Sequence, residues 1–173
     1  MKNKLIILTG LPRSGKSTWA CEALKNSPKQ LTRVCVDDIR KTFHGQRFIP
    51  EAENMVWSVA KYTVKSLLLS GNNVMLDATN INEAAVAWAL SYVNSPKTPD
   101  IEIRVLVFGT DPDVCIERAV STDQEDLVPV INTMVLQREM WWLDSCLKKD
   151  TELACDESGK TVLSPKRIGE LLR

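Results

Sequence analysis

Histidine, paired cysteines and net charge are all scarce in this chain of 173 residues, which has 22 Lys plus Arg, 22 Asp plus Glu and one histidine, His44. The five cysteines, Cys21, Cys35, Cys115, Cys146 and Cys155, form no CxxC pair, and their number is odd. A structural zinc site and a disulfide framework are therefore not expected, and unpaired thiols suit a reducing compartment. Coating long nucleic acids usually demands a basic excess, because neutralising phosphates dominates that affinity. The even balance disfavours such a role, although a local groove can still be basic. The apolar run Leu5 to Leu8 is far too short for a signal segment or a membrane span. Nothing addresses the chain to a membrane, and the expected location is cytoplasmic. No repeat, low-complexity tract or linker divides it, so one domain over residues 1–173 is expected.

Short apolar runs alternate with helical patterns. Leu5 to Leu8, Leu31 to Val36, Val74 to Leu76 and Ile101 to Phe108 read as strands. Helices are expected at Lys16 to Asn26, from Pro50 to a C-terminal stop at Gly71, from a cap at Asn82 to Val93, after the Asp111-Pro112 start, and over Pro129 to Leu147. Ser121 to Asp126 is polar and acidic with no apolar face, and reads as a loop. Glu152 to Leu163 fits a hairpin turning at Ser158-Gly159, with a terminal helix after Ser164-Pro165. This β-α alternation implies a parallel sheet with right-handed crossovers and helices on both faces.

Between the first strand and first helix lies Gly10-Leu11-Pro12-Arg13-Ser14-Gly15-Lys16-Ser17, a GxxxxGK[ST] phosphate loop in the strand–loop–helix setting it requires. Its glycines let successive backbone N–H groups face a polyphosphate at the positive end of the following helix. The nine residues Gly10 to Thr18 are thus the expected ATP-binding segment. Lys16 neutralises the β- and γ-phosphates, and the Ser17 hydroxyl suits Mg²⁺, which takes oxygen ligands. Arg13 occupies a position where many such loops carry glycine. The residues alone leave it between phosphate contact and a solvent-facing turn.

The other strand ends narrow the chemistry. No NKxD guanine-reading signature is present, and Ala78 follows Asp77 where a motor ATPase would often place a water-activating glutamate. Asp37 and Asp38 follow the second strand, at the edge where parallel sheets bind ligands. Phosphoryl transfer to a hydroxyl needs an acceptor for the hydroxyl proton and cations around the moving group. Asp37 can serve as that acceptor, and Arg40, one helical turn on, can clamp an acceptor phosphate. The plainer alternative makes the aspartates helix caps and Arg40 a surface group. Asp77 can hold a metal-bound water, with Thr79 and Asn80 positioning the acceptor. An Asx-type turn accounts for the same residues equally well.

Taken together, Gly10 to Ala20, the DDIR at Asp37 to Arg40 and the TNIN at Thr79 to Asn82 resemble the polynucleotide 5′-hydroxyl kinase family, the phage-type polynucleotide kinases. The likeness covers about residues 1–145. It implies a three-layer P-loop NTPase fold with a four- or five-stranded parallel sheet and a helical lid. It also implies ATP and Mg²⁺ as cofactors and a 5′-OH polynucleotide as partner. In that family the aspartate matching Asp37 is the general base, and the arginine matching Arg40 contacts the acceptor's 3′-phosphate. Asp38 lies beside them in the same acceptor motif. The residues matching Lys16 and Ser17 serve the ATP phosphates and the metal.

Two departures stand out. Ala78 separates Asp77 from the Thr-Asn pair, so Asp77 suits a metal role together with Ser17. In the lid, Arg118 matches one family arginine, but the second is expected about four residues on, within the acidic Ser121 to Asp126. Arg118 or Arg138 then carries the lid charge, or the acceptor is a small hydroxyl compound such as a nucleoside, antibiotic or sugar. A nucleotide-binding module with residual ATPase activity is the third reading. Trp19, Trp57 and Trp88 fit core packing. An outward-facing member of Trp141-Trp142 would mark a homodimer contact, and His44 reads as a surface residue.

Overall fold

Apolar strands buried on both faces build the fold outward from one sheet. A computed structural model of the chain describes residues 3–26, 31–81, 83–93, 100–146, 154–155 and 161–163. Strands β1 (Asn3–Gly10), β2 (Leu31–Cys35), β3 (Asn73–Asp77) and β4 (Ile101–Phe108) run parallel in the order β2-β3-β1-β4. A short hairpin, β5 (Ala154–Cys155) and β6 (Thr161–Leu163), joins the β4 edge antiparallel. The parallel core therefore has four strands, and the tail adds two of opposite sense. The expected hairpin is present. Its turn at Ser158-Gly159, the helix after Ser164 and the cap at Asn82 lie outside the described residues.

Helices α1 (Lys16–Asn26), α2 (Val36–His44), α3 (Glu53–Leu69), α4 (Glu83–Val93), α5 (Pro112–Val120) and α6 (Val128–Cys146) connect and cover these strands. Leu5, Ile7, Val74, Leu76, Val105 and Val107 send side chains to the face covered by α3 and α4. Their neighbours Leu8, Met75, Leu106 and Phe108 pack on the α1 side with Ala20, as the two-residue strand period requires. Helix α3 meets the sheet along Val56, Ala60, Val64 and Leu68, one residue per turn. It ends where expected. Gly71 adopts φ 84, while the Gly71 and Asn72 N–H groups close onto the Leu68 and Leu67 carbonyls at 3.1 and 3.0 Å.

A third cluster unites Leu11 of the phosphate loop with Cys115, Ala119 and Ile131, which ties the α5–α6 lid to that loop. Two stretches differ from expectation: Val36–His44 is a helix, and a 3-10 turn at Glu125–Leu127 enters the expected Ser121 to Asp126 loop. Strand β2 stops at Cys35 and α2 begins at Val36, so Asp37 and Asp38 occupy the first turn of a helix. Two carboxylates there face the positive helix end, which favours helical geometry immediately after the strand. Among the described residues, no helix is long and apolar enough to cross a membrane.

The packing predicts that Leu76→Ala, at a side chain with no exposed surface, lowers the unfolding free energy by about 2–5 kcal/mol. Urea denaturation should show this, while Leu69→Ala, at a residue 62% exposed, should change it by under ~0.5 kcal/mol.

Candidate active site

Parallel pairing brings the ends of β1, β2 and β3 to a common edge, with Leu8 and Cys35 both in register with Asp77. The loop leaving β1 starts at Gly10, whose N–H donates to the Thr79 carbonyl at 2.9 Å. A Cβ at Gly10 would lie 2.8 Å from the Phe108 carbonyl oxygen and 3.0 Å from Ser14 Oγ, so only glycine fits. Across this edge opens a cleft of about 1190 Å³, bounded by the loop, α2, the β3 exit and the lid.

Lys16 is 6% exposed and folds onto its own loop. Its Nζ donates to the Leu11 and Gly10 carbonyls at 2.6 and 2.9 Å and to Ser14 Oγ at 3.3 Å. Burial pushes its pKa down to about 8, against the opposing pull of Asp77 and then Asp37. Ser17 and Thr18 are exposed in the first turn of α1 and line the cleft with Pro12, Ser14 and Gly15. Gly10 and Leu11 are buried beneath it, shaping the loop from below.

The carboxylates divide by environment. Asp77 is 3% exposed and takes two N–H bonds from Arg33, at 2.9 and 2.6 Å. Arg33 also reaches Asp38 at 3.3 Å, so Asp38 turns to this strand arginine and lies outside the cleft lining. Asp37 is 64% exposed at the cleft and accepts from Arg40 Nη1 at 2.6 Å. Arg40 in turn forks onto Glu53 at 2.8 and 2.7 Å. That hydrogen-bonded pairing, outweighing burial, holds the guanidinium pKa above its ordinary value.

Thr79 lines the cleft, whereas Asn80 is 2% exposed and donates from Nδ2 to the Leu8 carbonyl at 2.8 Å. Thr9 Oγ1 donates to the Asn80 carbonyl at 2.7 Å, completing a stitch between β1 and the β3 exit. Asn80 takes φ 44 to make this turn, but its side chain bonds through Nδ2 and closes no Asx-type turn, since Oδ1 is buried without a hydrogen-bond partner among the described residues. On the lid side, Arg118 Nη1 donates to the Arg13 carbonyl at 3.1 Å, which brings Arg118 to the phosphate loop. Arg47 of the α2–α3 connection pairs with the lid's Asp126 at 2.5 Å.

Motif reasoning missed Arg33, Glu53, Thr9 and Arg47. Arg33 gave one signal, a cation inside an otherwise uncharged strand. Glu53 was visible only as a first-turn helix residue, since nothing local links it to Arg40. The Arg138 and Trp141-Trp142 side chains lie outside the described residues. Trp19 packs edge-on against Phe108 with centroids 6.1 Å apart, and Trp57 and Trp88 pack against the core. His44 accepts the Gln46 N–H at Nδ1, at 3.3 Å, and lies outside the cleft lining.

A family model described as an AAA domain matches residues 5–131. The chain belongs to the AAA domain family. Among solved structures, this AAA domain is similar to a chain of the Pnkp1/Rnl/Hen1 complex, with 28% identity and a TM-score of 0.60. That match covers 68% of this chain and 39% of the other. It is also similar in fold to a chain of the Pnkp1/Rnl/Hen1 RNA repair complex, at 24% identity and a TM-score of 0.69, over 91% of this chain and 53% of that one. The AAA domain thus spans about half or less of the solved chains it matches.

The buried ammonium of Lys16 yields a pH prediction. Its folded pKa of about 8 lies below the ordinary 10.5, so between these values the unfolded chain binds more protons. Stability should therefore rise as pH increases from about 8 to 10.5, by on the order of 3 kcal/mol from this group. Below that window the cost of burying the charge is present in full. Denaturation across the pH range should show the rise in the native protein and lose it in Lys16→Met.

Proposed function

We propose that this AAA domain is an ATP-dependent phosphotransferase that moves the γ-phosphoryl group onto a hydroxyl, that of a polynucleotide or nucleotide 5′ end. The observation that carries this reading is one cleft lined by Lys16 and Ser17 on one side and by the exposed Asp37 carboxylate on the other. The likeness to a chain of the Pnkp1/Rnl/Hen1 complex supports it, as does alanine at position 78 in place of a water-activating acid.

In the proposed reaction the loop amides and Lys16 hold the β- and γ-phosphates. Phosphate oxygens replace the loop carbonyls that the ammonium now contacts. Asp37 accepts the hydroxyl proton as the acceptor oxygen bonds to the γ-phosphorus. The bond from that phosphorus to the β–γ bridging oxygen breaks, and ADP leaves. Arg40, anchored by Glu53, fixes the Asp37 carboxylate in position. Its remaining N–H groups serve an acceptor phosphate, and Thr79 flanks the same space.

Ser17 and Asp77 supply oxygen donors of the hard kind that Mg²⁺ takes, which fits a magnesium nucleotide. Among the described residues, no group of three or more metal-ligating side chains gathers. The ion would accordingly be held by one or two protein oxygens, phosphate oxygens and water, the usual pattern for magnesium nucleotides. Its contribution there is neutralisation of phosphate charge. A cytoplasmic enzyme is the setting that five cysteines suit.

The lid's Asp126 already engages Arg47 at the cleft, and this favours a smaller hydroxyl acceptor as the second reading. Parallel assays with labelled γ-phosphate on 5′-OH oligonucleotides, 3′-nucleotides and nucleosides separate the two. Transfer only to nucleosides or other small metabolites would replace the polynucleotide reading, and hydrolysis without transfer would remove both. Asp37→Asn is expected to lower transfer by about 10²-fold or more while ATP affinity stays within a few-fold. An Asp37→Asn protein with native turnover would remove the base from the mechanism.

A further inference from the structure

Arg13 holds the phosphate loop in a left-handed conformation, φ 64, which disfavours any residue carrying a Cβ. Glycine would adopt it freely, so the arginine side chain has to offset that strain. The side chain turns towards the lid. Its Nη2 donates to Thr122 Oγ1 at 3.0 Å and to the Arg118 carbonyl at 3.3 Å. Arg118 returns the contact, Nη1 to the Arg13 carbonyl. Each guanidinium thus donates to the other residue's backbone carbonyl, and both residues line the cleft that Lys16 also lines.

Cations lining one cleft favour an anion lying between or before them. Neither arginine has a carboxylate partner among the described residues, and Arg13 Nε is buried without a hydrogen-bond acceptor. Of the nearby lid acids, Asp126 is engaged with Arg47. From Ser121 to Asp126 the lid itself carries no cation. Two arginines without a carboxylate partner on the wall that Lys16 shares suit an anion such as phosphate.

We propose that Arg13 is the second cation of the lid, delivered from the phosphate loop. Its guanidinium donates to Thr122, within a segment that has no cation of its own. With Arg118 it contacts non-bridging oxygens of the terminal phosphate of a nucleoside triphosphate. Arg13 forms and breaks no covalent bond. It neutralises charge that develops as the phosphoryl group moves, so it contributes more to turnover than to ground-state affinity. The proposal rests on the phosphotransferase reading given above.

The test relocates the charge. Arg13→Gly removes the guanidinium and relieves the backbone, so the variant is expected to fold, with thermal denaturation as the check. Arg13→Gly combined with Thr122→Arg returns a guanidinium to the same wall from the lid. Two quantities are read: kcat with a γ-labelled donor, and affinity for ADP with aluminium fluoride relative to ADP alone. Arg13→Gly should lose about 10–100-fold in kcat and a similar factor in that relative affinity, with KM for ATP changed by under about three-fold. The double variant should recover at least about ten-fold of each loss. Native values in Arg13→Gly, or a double variant no better than the single, would overturn the proposal and leave Arg13 a loop brace. A native protein inactive on every acceptor would instead sink the phosphotransferase reading, and the affinity comparison would still decide the role of Arg13.

Discussion

Burial of the Lys16 ammonium within its own loop is the constraint on which the site depends. A charged group at 6% exposure is costly unless its donors are satisfied and opposite charge is near. Two loop carbonyls and Ser14 Oγ provide the first condition, while Asp77 and Asp37 provide the second. The resulting loop is closed upon a cation that its ligand would partly reclaim. On the proposed reading, a polyphosphate would exchange these intramolecular acceptors for stronger anionic ones.

Asp77 could not attract Lys16 in isolation, because a buried carboxylate needs donors of its own. Arg33 supplies them from the neighbouring strand and extends to Asp38, so a chain of alternating charge runs along the carboxyl edge. A second chain, Asp37–Arg40–Glu53, leads from the cleft back to the first turn of α3. The two aspartates that are adjacent in sequence therefore serve different networks. One faces the cleft and the other its supporting wall.

The fold was legible because its signals are local and periodic. The short apolar runs at Leu5 to Leu8 and Ile101 to Phe108, the glycine at 71 and the Asp111-Pro112 helix start each specify a structure within a few residues. Asp111 accepts the Asp113 N–H at 2.9 Å, as its sequence predicts. The phosphate loop was legible for the same reason. The end of β2 was misjudged by one residue, since Val36 suits strand and helix equally. Partners far apart in sequence left no trace: Glu53 for Arg40, Arg33 for Asp77, and the inward turn of Asn80 became visible only once the strands were in register. These long-range pairings decide which acceptor-side groups face the cleft.

Leu11 is fully buried among Cys115, Ala119 and Ile131, although it belongs to the phosphate loop. The lid is thus anchored by an apolar peg set in the very segment that cradles phosphate. Any swing of α5 and α6 must either carry that peg along, distorting the amide nest, or withdraw it and wet the cavity beneath. Lid position and loop geometry therefore share one mechanical element.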